Sequence, residues 1–139
     1  MKDLIYLDAS FFIATQIKEH IFHKQASKIF KNKISESVFC YSGLTIDEIL
    51  HALSRYLSKS EIVAVINNNL FNMQSFLYLN TSLKYIDIKE YLSIWENTTL
   101  KPRDAMHYFF MQQNNIIKIA TFDDDFIKNK KRLGIEIIK

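Results

Sequence analysis

Glycine, proline and cysteine are scarce in this sequence. Its 139 residues include two glycines, one proline and one cysteine. So few glycines leave no glycine-rich phosphate-binding loop and no flexible linker between two domains. Because the one cysteine, Cys40, has no partner in the sequence, an internal disulfide is excluded, which is typical of the reducing cytoplasm. These absences predict a single cytoplasmic domain over residues 1–139.

Long apolar runs are missing as well. No stretch of about 18 apolar residues occurs, and the first residues lack the charged-then-apolar pattern of a signal peptide. We therefore expect neither a membrane span nor export. Apolar residues make up 48% and charged residues 24%, as in a globular protein with a buried core. The net charge of +3 is small for a dedicated nucleic-acid binder. Acidic residues clustered at a metal site would, however, hide a basic surface around that site in the total.

Short segments rich in apolar and β-branched residues alternate with segments of helical periodicity. The strand-like segments lie near residues 4–8, 38–42, 116–121 and 135–138. Strands that alternate with helices favour an α/β fold, in which a mainly parallel sheet is covered by helices on both faces. Within the helices, we expect Ile21, Leu50 and Tyr56 to lie on buried apolar faces.

Four acidic residues occur where these elements begin or end. Asp8 closes the first strand, and Asp123 follows the third. Glu48 and Asp104 lie in the first turns of two predicted helices. In a parallel α/β sheet, ligands bind in the crevice outside the carboxyl ends of the strands. We expect the four carboxylates to converge there, although Asp8 alone could equally be the N-cap of the next helix.

Converging carboxylates have a specific chemical use. Without a counter-charge they repel one another and raise each other's pKa values. A divalent cation removes this repulsion, and hard oxygen ligands without cysteine favour Mg²⁺ or Mn²⁺ over zinc. Such a cation lowers the pKa of a bound water and stabilises in-line attack on phosphorus. The pattern therefore predicts metal-assisted hydrolysis of phosphodiester bonds.

Four segments carry a resemblance to a known family. In chain order they read IYLDAS, TIDEIL, KPRDAMHY and IATFDDDF. This order resembles a PIN domain, and at this length the chain looks most like the VapC-type toxin ribonucleases of toxin–antitoxin pairs. The resemblance extends from Leu4 to Ile138. It implies a three-layer α/β/α sandwich with four to five strands and a Mg²⁺- or Mn²⁺-dependent endoribonuclease site.

The resemblance also implies roles for individual residues. The four acids of the family's site match Asp8, Glu48, Asp104 and Asp123. Asp125 matches a frequent second acid of the last motif and is a further candidate metal ligand. Ser10 matches the small polar residue that supports the first acid, and Thr121 matches the threonine that ends the strand before the last acids.

The resemblance extends to partners. It implies an RNA substrate, an antitoxin protein and a homodimer. Arg103 and Lys101 are candidate phosphate contacts, as is the basic cluster of residues 128–132, which fits a solvated helix face equally well. The segment Asn67–Leu83 matches no motif, so it leaves the RNA that is recognised open.

Two other functions fit parts of the sequence. A PIN-like domain with a weak or lost active site would act as an RNA- or protein-binding module, although all four acids are present. A second alternative uses the spacing Glu48-x-x-His51 and Asp104-x-x-His107, which di-iron helical bundles share. That site needs two further inward glutamates on long helices, and the sequence places none well.

Overall fold

The computed structural model describes residues 2–138, which form a five-stranded sheet with helices on both faces. The strands are β1 (Asp3–Leu7), β2 (Ser37–Tyr41), β3 (Phe76–Tyr78), β4 (Lys118–Ala120) and β5 (Glu136–Ile138). The α-helices are α1 (Ala9–Gln16), α2 (His23–Lys33), α3 (Gly43–Leu53), α4 (Lys59–Ile66), α5 (Ile88–Glu96), α6 (Pro102–Gln113) and α7 (Asp124–Leu133). A π-helical turn over Asn67–Phe71 follows α4, and a 3₁₀ turn over Tyr85–Asp87 precedes α5.

The strand order β3-β2-β1-β4-β5 puts β1 at the centre of the sheet, and every neighbouring pair is parallel. Side chains of a strand alternate between the two faces of its sheet. Ile5 and Leu7 accordingly pack with one hydrophobic cluster, and Tyr6 packs with the other. The predicted α/β sandwich of three layers is confirmed, with five strands.

Each face of the sheet has its own hydrophobic core. On the Leu7 face, Phe11 and Phe12 of α1 pack against residues of α3 and α4. On the Tyr6 face, Met111 of α6 and Phe126 of α7 are fully buried. Each large side chain buried in this way contributes roughly 1.5–3 kcal/mol to folding. The two cores hold β1 rigidly, so the residue that follows it has a defined position.

Local sequence signals fix the helix ends that matter for the site. The Ser42 hydroxyl accepts a hydrogen bond from the Thr45 backbone N–H at 3.3 Å. This bond caps α3 at the start of the helix that carries Glu48. Pro102 occupies the first turn of α6, where a missing N–H costs nothing. Gly134, with a φ of 66°, provides the left-handed residue that ends α7.

Three predicted core residues are exposed instead. Ile21 is 86% exposed because α2 begins only at His23, so Ile21 lies in the turn before the helix. Leu50 and Tyr56 are also exposed, at 42% and 58%, since α3 buries the side occupied by Thr45, Ile49 and Leu53.

Strand β3 lies within the segment that matched no motif. It is three residues long, and it pairs with β2 at one edge of the sheet. Among residues 2–138, no helix combines the length and the apolar character that crossing a membrane requires.

Candidate active site

The candidate site lies where the central strands β1 and β4 end. Asp8 follows β1 directly, and its backbone N–H donates to the Ala120 carbonyl at 3.1 Å, which joins the two strand ends. Thr121 follows β4 and is fully buried. Asp104 lies in the first turn of α6, and the charges of Asp8 and Glu48 both act on it, so these acids lie at the same edge of the sheet. Glu48 lies in the second turn of α3 and not in the first as predicted, because α3 begins at Gly43. Carboxylates that are distant in sequence therefore share one crevice.

Two hydroxyl groups orient the Asp8 carboxylate. Its Oδ2 accepts hydrogen bonds from Ser10 Oγ at 2.8 Å and from Thr121 Oγ1 at 2.6 Å. The Thr121 hydroxyl also accepts the Asp123 backbone N–H at 2.9 Å, so one side chain connects two of the acids. Although Asp8 occupies the N-cap position of α1, its side chain makes no capping hydrogen bond. The carboxylate is thus buried and held for a purpose other than capping.

Asp104, Asp123 and Asp125 form one acidic cluster. Each of them offers a carboxylate oxygen, and these three oxygens lie within 4.8 Å of one another. Asp123 Oδ1 accepts the Asp125 backbone N–H at 2.9 Å, which fixes the start of α7. Asp125 forms an ion pair with Lys101, whose Nζ lies 3.9 Å from Asp125 Oδ2 and whose side chain is mostly exposed. An exposed lysine at that distance neutralises the cluster only weakly.

Asp8, Glu48 and His107 form a second cluster of the same kind, with one ligand atom from each within 4.8 Å of the others. His107 is fully buried, and its Nε2 pairs directly with a Glu48 carboxylate oxygen. Its Nδ1 lies 2.6 Å from the Tyr6 hydroxyl, which in turn lies 2.8 Å from Ser42 Oγ. A buried chain of hydrogen bonds thus fixes the position of Glu48.

His107 is not among the residues predicted for the nuclease site. Its spacing three residues after Asp104 is the sequence signal for it, and that spacing also fits the di-iron alternative. The sheet excludes the helical bundle that such a di-iron site requires, and His51 is exposed on α3.

Burial and neighbouring charges shift the pKa values of Asp104, Asp8 and His107. Burial, followed by the charges of Asp123 and Asp8, raises the pKa of Asp104 to about 7. Burial also raises the pKa of Asp8, although His107 and the two hydroxyls oppose the rise. For His107, burial disfavours the imidazolium, but the bond to Glu48 and the charges of Asp8 and Asp104 raise its pKa above the ordinary value. The crevice therefore carries more negative charge than its own cations balance.

Comparison with known proteins identifies the family. The model of the PIN domain family matches residues 5–132, which is most of the chain. The chain belongs to the PIN domain family. The resemblance inferred from the four motifs is thereby confirmed. No curated protein sequence matches this PIN domain significantly.

Solved structures share the fold of this PIN domain. Mycobacterium tuberculosis VapC20, a toxin that cleaves the sarcin–ricin loop, matches with a TM-score of 0.70 and 17% identity. The match covers 89% of this chain and 93% of VapC20. PAE2754 from Pyrobaculum aerophilum matches with a TM-score of 0.61 and 19% identity over 99% of this chain and 92% of that protein. At these identities the similarity establishes the fold.

The donor atoms of this PIN domain fit a hard divalent cation. Asp104, Asp123 and Asp125 offer carboxylate oxygens, and Asp8 Oδ1 makes no hydrogen bond within residues 2–138. The one thiol, Cys40, is buried in the core of the Tyr6 face. Oxygen donors without sulfur favour Mg²⁺ or Mn²⁺. Burial and the charges of Asp123 and Asp8 raise the pKa of Asp104, and a cation bound by these oxygens would oppose that rise.

The two predicted RNA-contacting residues, Arg103 and Lys101, have different neighbours among the acids. Arg103 lines a groove that also contains Ser10 and Glu48, whereas Lys101 lies beside Asp125. Within the basic cluster at the end of α7, Arg132 donates to the Asn97 carbonyl at 2.5 Å. Arg132 is thus engaged in an intramolecular contact, and an RNA contact by the cluster stays a prediction.

Proposed function

We propose that this chain is a single PIN nuclease domain that hydrolyses RNA with Mg²⁺ or Mn²⁺. The observation that carries the proposal is the convergence of Asp8, Asp104 and Asp123 at one sheet edge, where the pKa of Asp104 is raised to about 7. Unbalanced carboxylates of this kind are costly to a fold that does not use them. A bound divalent cation would offset that cost.

Each residue has a distinct role in this proposal. Asp8 and Asp104 hold the cation from the strand side and the helix side, and Asp123 and Asp125 complete the acidic cluster. Glu48, which His107 holds in place, is a further ligand of the cation beside Asp8. When bound, the cation lowers the pKa of a water and polarises the phosphate. Hydrolysis forms a bond from the water oxygen to phosphorus and breaks one from phosphorus to a ribose oxygen.

We further propose that the protein is the toxin of a toxin–antitoxin pair and that it acts in the cytoplasm as a homodimer. The fold it shares with the toxin VapC20 supports this role. The single free cysteine fits a reducing compartment. Arg103 and Lys101 are proposed to contact phosphates on either side of the scissile bond, because both lie next to the acids and carry positive charge.

Cleavage of a mixed RNA pool with Mn²⁺, Mg²⁺ or EDTA tests the proposal. Wild-type protein is compared with Asp104→Asn and with Asp47→Asn, a control that removes an exposed acid of α3. We expect metal-dependent cleavage by the wild type and the control, and a loss of about 100-fold or more in Asp104→Asn. Cleavage that persists in Asp104→Asn or in EDTA would contradict the proposal.

One observation favours a second candidate, an RNA- or protein-binding module without nuclease activity. His107 supplies a cationic partner to Glu48, so one of the four acids is already satisfied by the protein itself. The two candidates differ in their response to Mn²⁺. A binding module would gain no thermal stability from Mn²⁺ and would cleave no RNA, whereas the nuclease would show both effects.

A further inference from the structure

A groove beside the acids contains basic and aromatic side chains that have no role in the proposed metal site. We call it the α3 groove; its volume is about 340 Å³, and it is lined by Ser10, His20, Glu48, His51, Arg55, Tyr56 and Arg103, with a floor of small and apolar residues from α1 and α3. Its size is within the range of ligand-binding pockets, about 300–1,000 Å³. Because Ser10 and Glu48 also belong to the acid site, a ligand in the groove reaches the scissile position directly.

The two guanidinium groups of the α3 groove are available to a ligand. Among residues 2–138, the ion pairs use Lys33, Lys101, His107 and Lys118, and the one arginine that donates a side-chain hydrogen bond is Arg132. Arg55 and Arg103 therefore have neither kind of partner there. Among residues 2–138, no carboxylate oxygen lies within 4.0 Å of a guanidinium nitrogen of either arginine. A guanidinium group is permanently charged and presents several N–H donors in one plane. When it has no carboxylate partner, it is well suited to bind a phosphate.

Tyr56 supplies an aromatic surface next to these charges. It is 58% exposed, and its hydroxyl has no hydrogen-bond partner within residues 2–138. The turn after α3 is ordered, because the Arg55 and Tyr56 backbone N–H groups donate to the Ala52 and Leu53 carbonyls. A helix ends with carbonyl oxygens, which disfavour anions, so side chains alone must hold a phosphate here. An exposed tyrosine in the same groove as two arginines offers a stacking platform for a base.

We propose that the α3 groove binds one unpaired nucleotide of the RNA next to the bond that is cut. Arg55 and Arg103 contact its phosphates, and Tyr56 stacks on its base. The inference rests on the proposed nuclease function and names the side chains that hold the nucleotide beside the scissile bond. A base that stacks on a side chain must first leave its own stack, which is feasible in loops and ends but costly in a duplex.

Binding of short fluorescent RNA in EDTA tests the groove without any cleavage. Single-stranded RNA is compared with a duplex of the same sequence. We expect tighter binding of the single strand and about tenfold weaker binding by Tyr56→Ala. Arg55→Gln should bind more weakly and lower the slope of log affinity against log salt by about 0.7, the share of one phosphate contact on a single strand. Arg55→Lys should restore part of that slope.

Two control variants match these changes outside the groove. Tyr85→Ala removes a 95% exposed tyrosine from the 3₁₀ turn, and Lys89→Gln removes an exposed charge from α5. Both should bind like the wild type. The inference would be overturned if Arg55→Gln and Tyr56→Ala bound RNA as the controls do. It would also be overturned by equal affinity for duplex RNA, or by folded wild-type protein that binds no RNA.

Comparison of binding with cleavage separates the inference from the proposed function. Groove-dependent RNA binding without cleavage in Mn²⁺ would refute the nuclease and retain the groove. Metal-dependent cleavage that Arg55→Gln and Tyr56→Ala leave unchanged would refute the groove and retain the nuclease.

Discussion

Replacing Asp104 by asparagine should stabilise the metal-free protein. Asp104 is 6% exposed, and its folded pKa is about 7, against about 3.9 for an aspartate in an unfolded chain. A difference of about three pKa units corresponds to about 4 kcal/mol when the carboxylate is ionised. Solvent at the open edge of the crevice screens the neighbouring charges, so we expect about 2 kcal/mol. Asparagine has the same shape and carries no charge.

The sign follows from the direction of the shift. A carboxyl group whose folded pKa is raised binds its proton more tightly in the folded state than in the unfolded state. The metal-free wild type therefore loses stability as pH rises from about 4 to about 7. Asp104→Asn lacks this loss. The variant and the wild type should have similar stability near pH 4 and differ most above about pH 7.

Thermal unfolding in EDTA and in Mn²⁺ measures the effect. At about pH 8 in EDTA, 2 kcal/mol corresponds to a melting temperature about 6 °C higher for Asp104→Asn than for the wild type. Mn²⁺ at about 100 times its dissociation constant adds about 2.7 kcal/mol to the wild type. The variant has lost a ligand, so we expect it to gain less than the difference of about 0.7 kcal/mol, and the order of stability should then reverse.

The control for this comparison is Asp47→Asn, which removes an exposed acid of α3 and should leave the wild-type response to pH and Mn²⁺ unchanged. A lower melting temperature of Asp104→Asn in EDTA, or an equal Mn²⁺ response in both proteins, would refute the electrostatic reasoning.

Three further outcomes follow from the hydrogen bonds and pKa values of the site. Thr121→Val should cost about 1–3 kcal/mol in urea unfolding and weaken Mn²⁺ binding, because Asp8 loses a buried donor; unchanged stability would contradict this. Tyr6→Phe should cost a similar 1–3 kcal/mol or so, since it leaves His107 Nδ1 without its partner; a stability gain would contradict it. Calorimetry should find Mn²⁺ affinity falling up to about tenfold per pH unit below about 7, where protons compete for Asp104; pH-independent affinity would contradict this.

The central sheet was predictable because its sequence signals are local. β1 and β4 are short and end in runs of buried apolar residues, which are typical of the strands of a parallel sheet. Pro102 and Ser42 mark the starts of α6 and α3 through backbone chemistry that needs no tertiary contact. Once parallel strands were inferred, the rule for their carboxyl ends was sufficient to bring Asp8 to the crevice.

Features that depend on tertiary contacts were not predictable. β3 is three residues long, and its pairing with β2 defines it better than its own periodicity does. Tyr56 appeared to continue the apolar face of α3, but α3 ends at Leu53 and the turn after it points the ring to solvent. The pairing of His107 with Glu48 joins residues 59 positions apart, and only the folded chain brings them together.

The most direct test of the account is whether the acids bind one cation as a unit. Electron paramagnetic resonance reports free Mn²⁺, whose signal falls when protein binds it. Added wild type should lower the signal, while Asp8→Asn, Asp104→Asn and Asp123→Asn should each lower it far less. Asp47→Asn should behave as the wild type does. Equal loss of signal with all five proteins, or no loss with the wild type, would contradict the central claim.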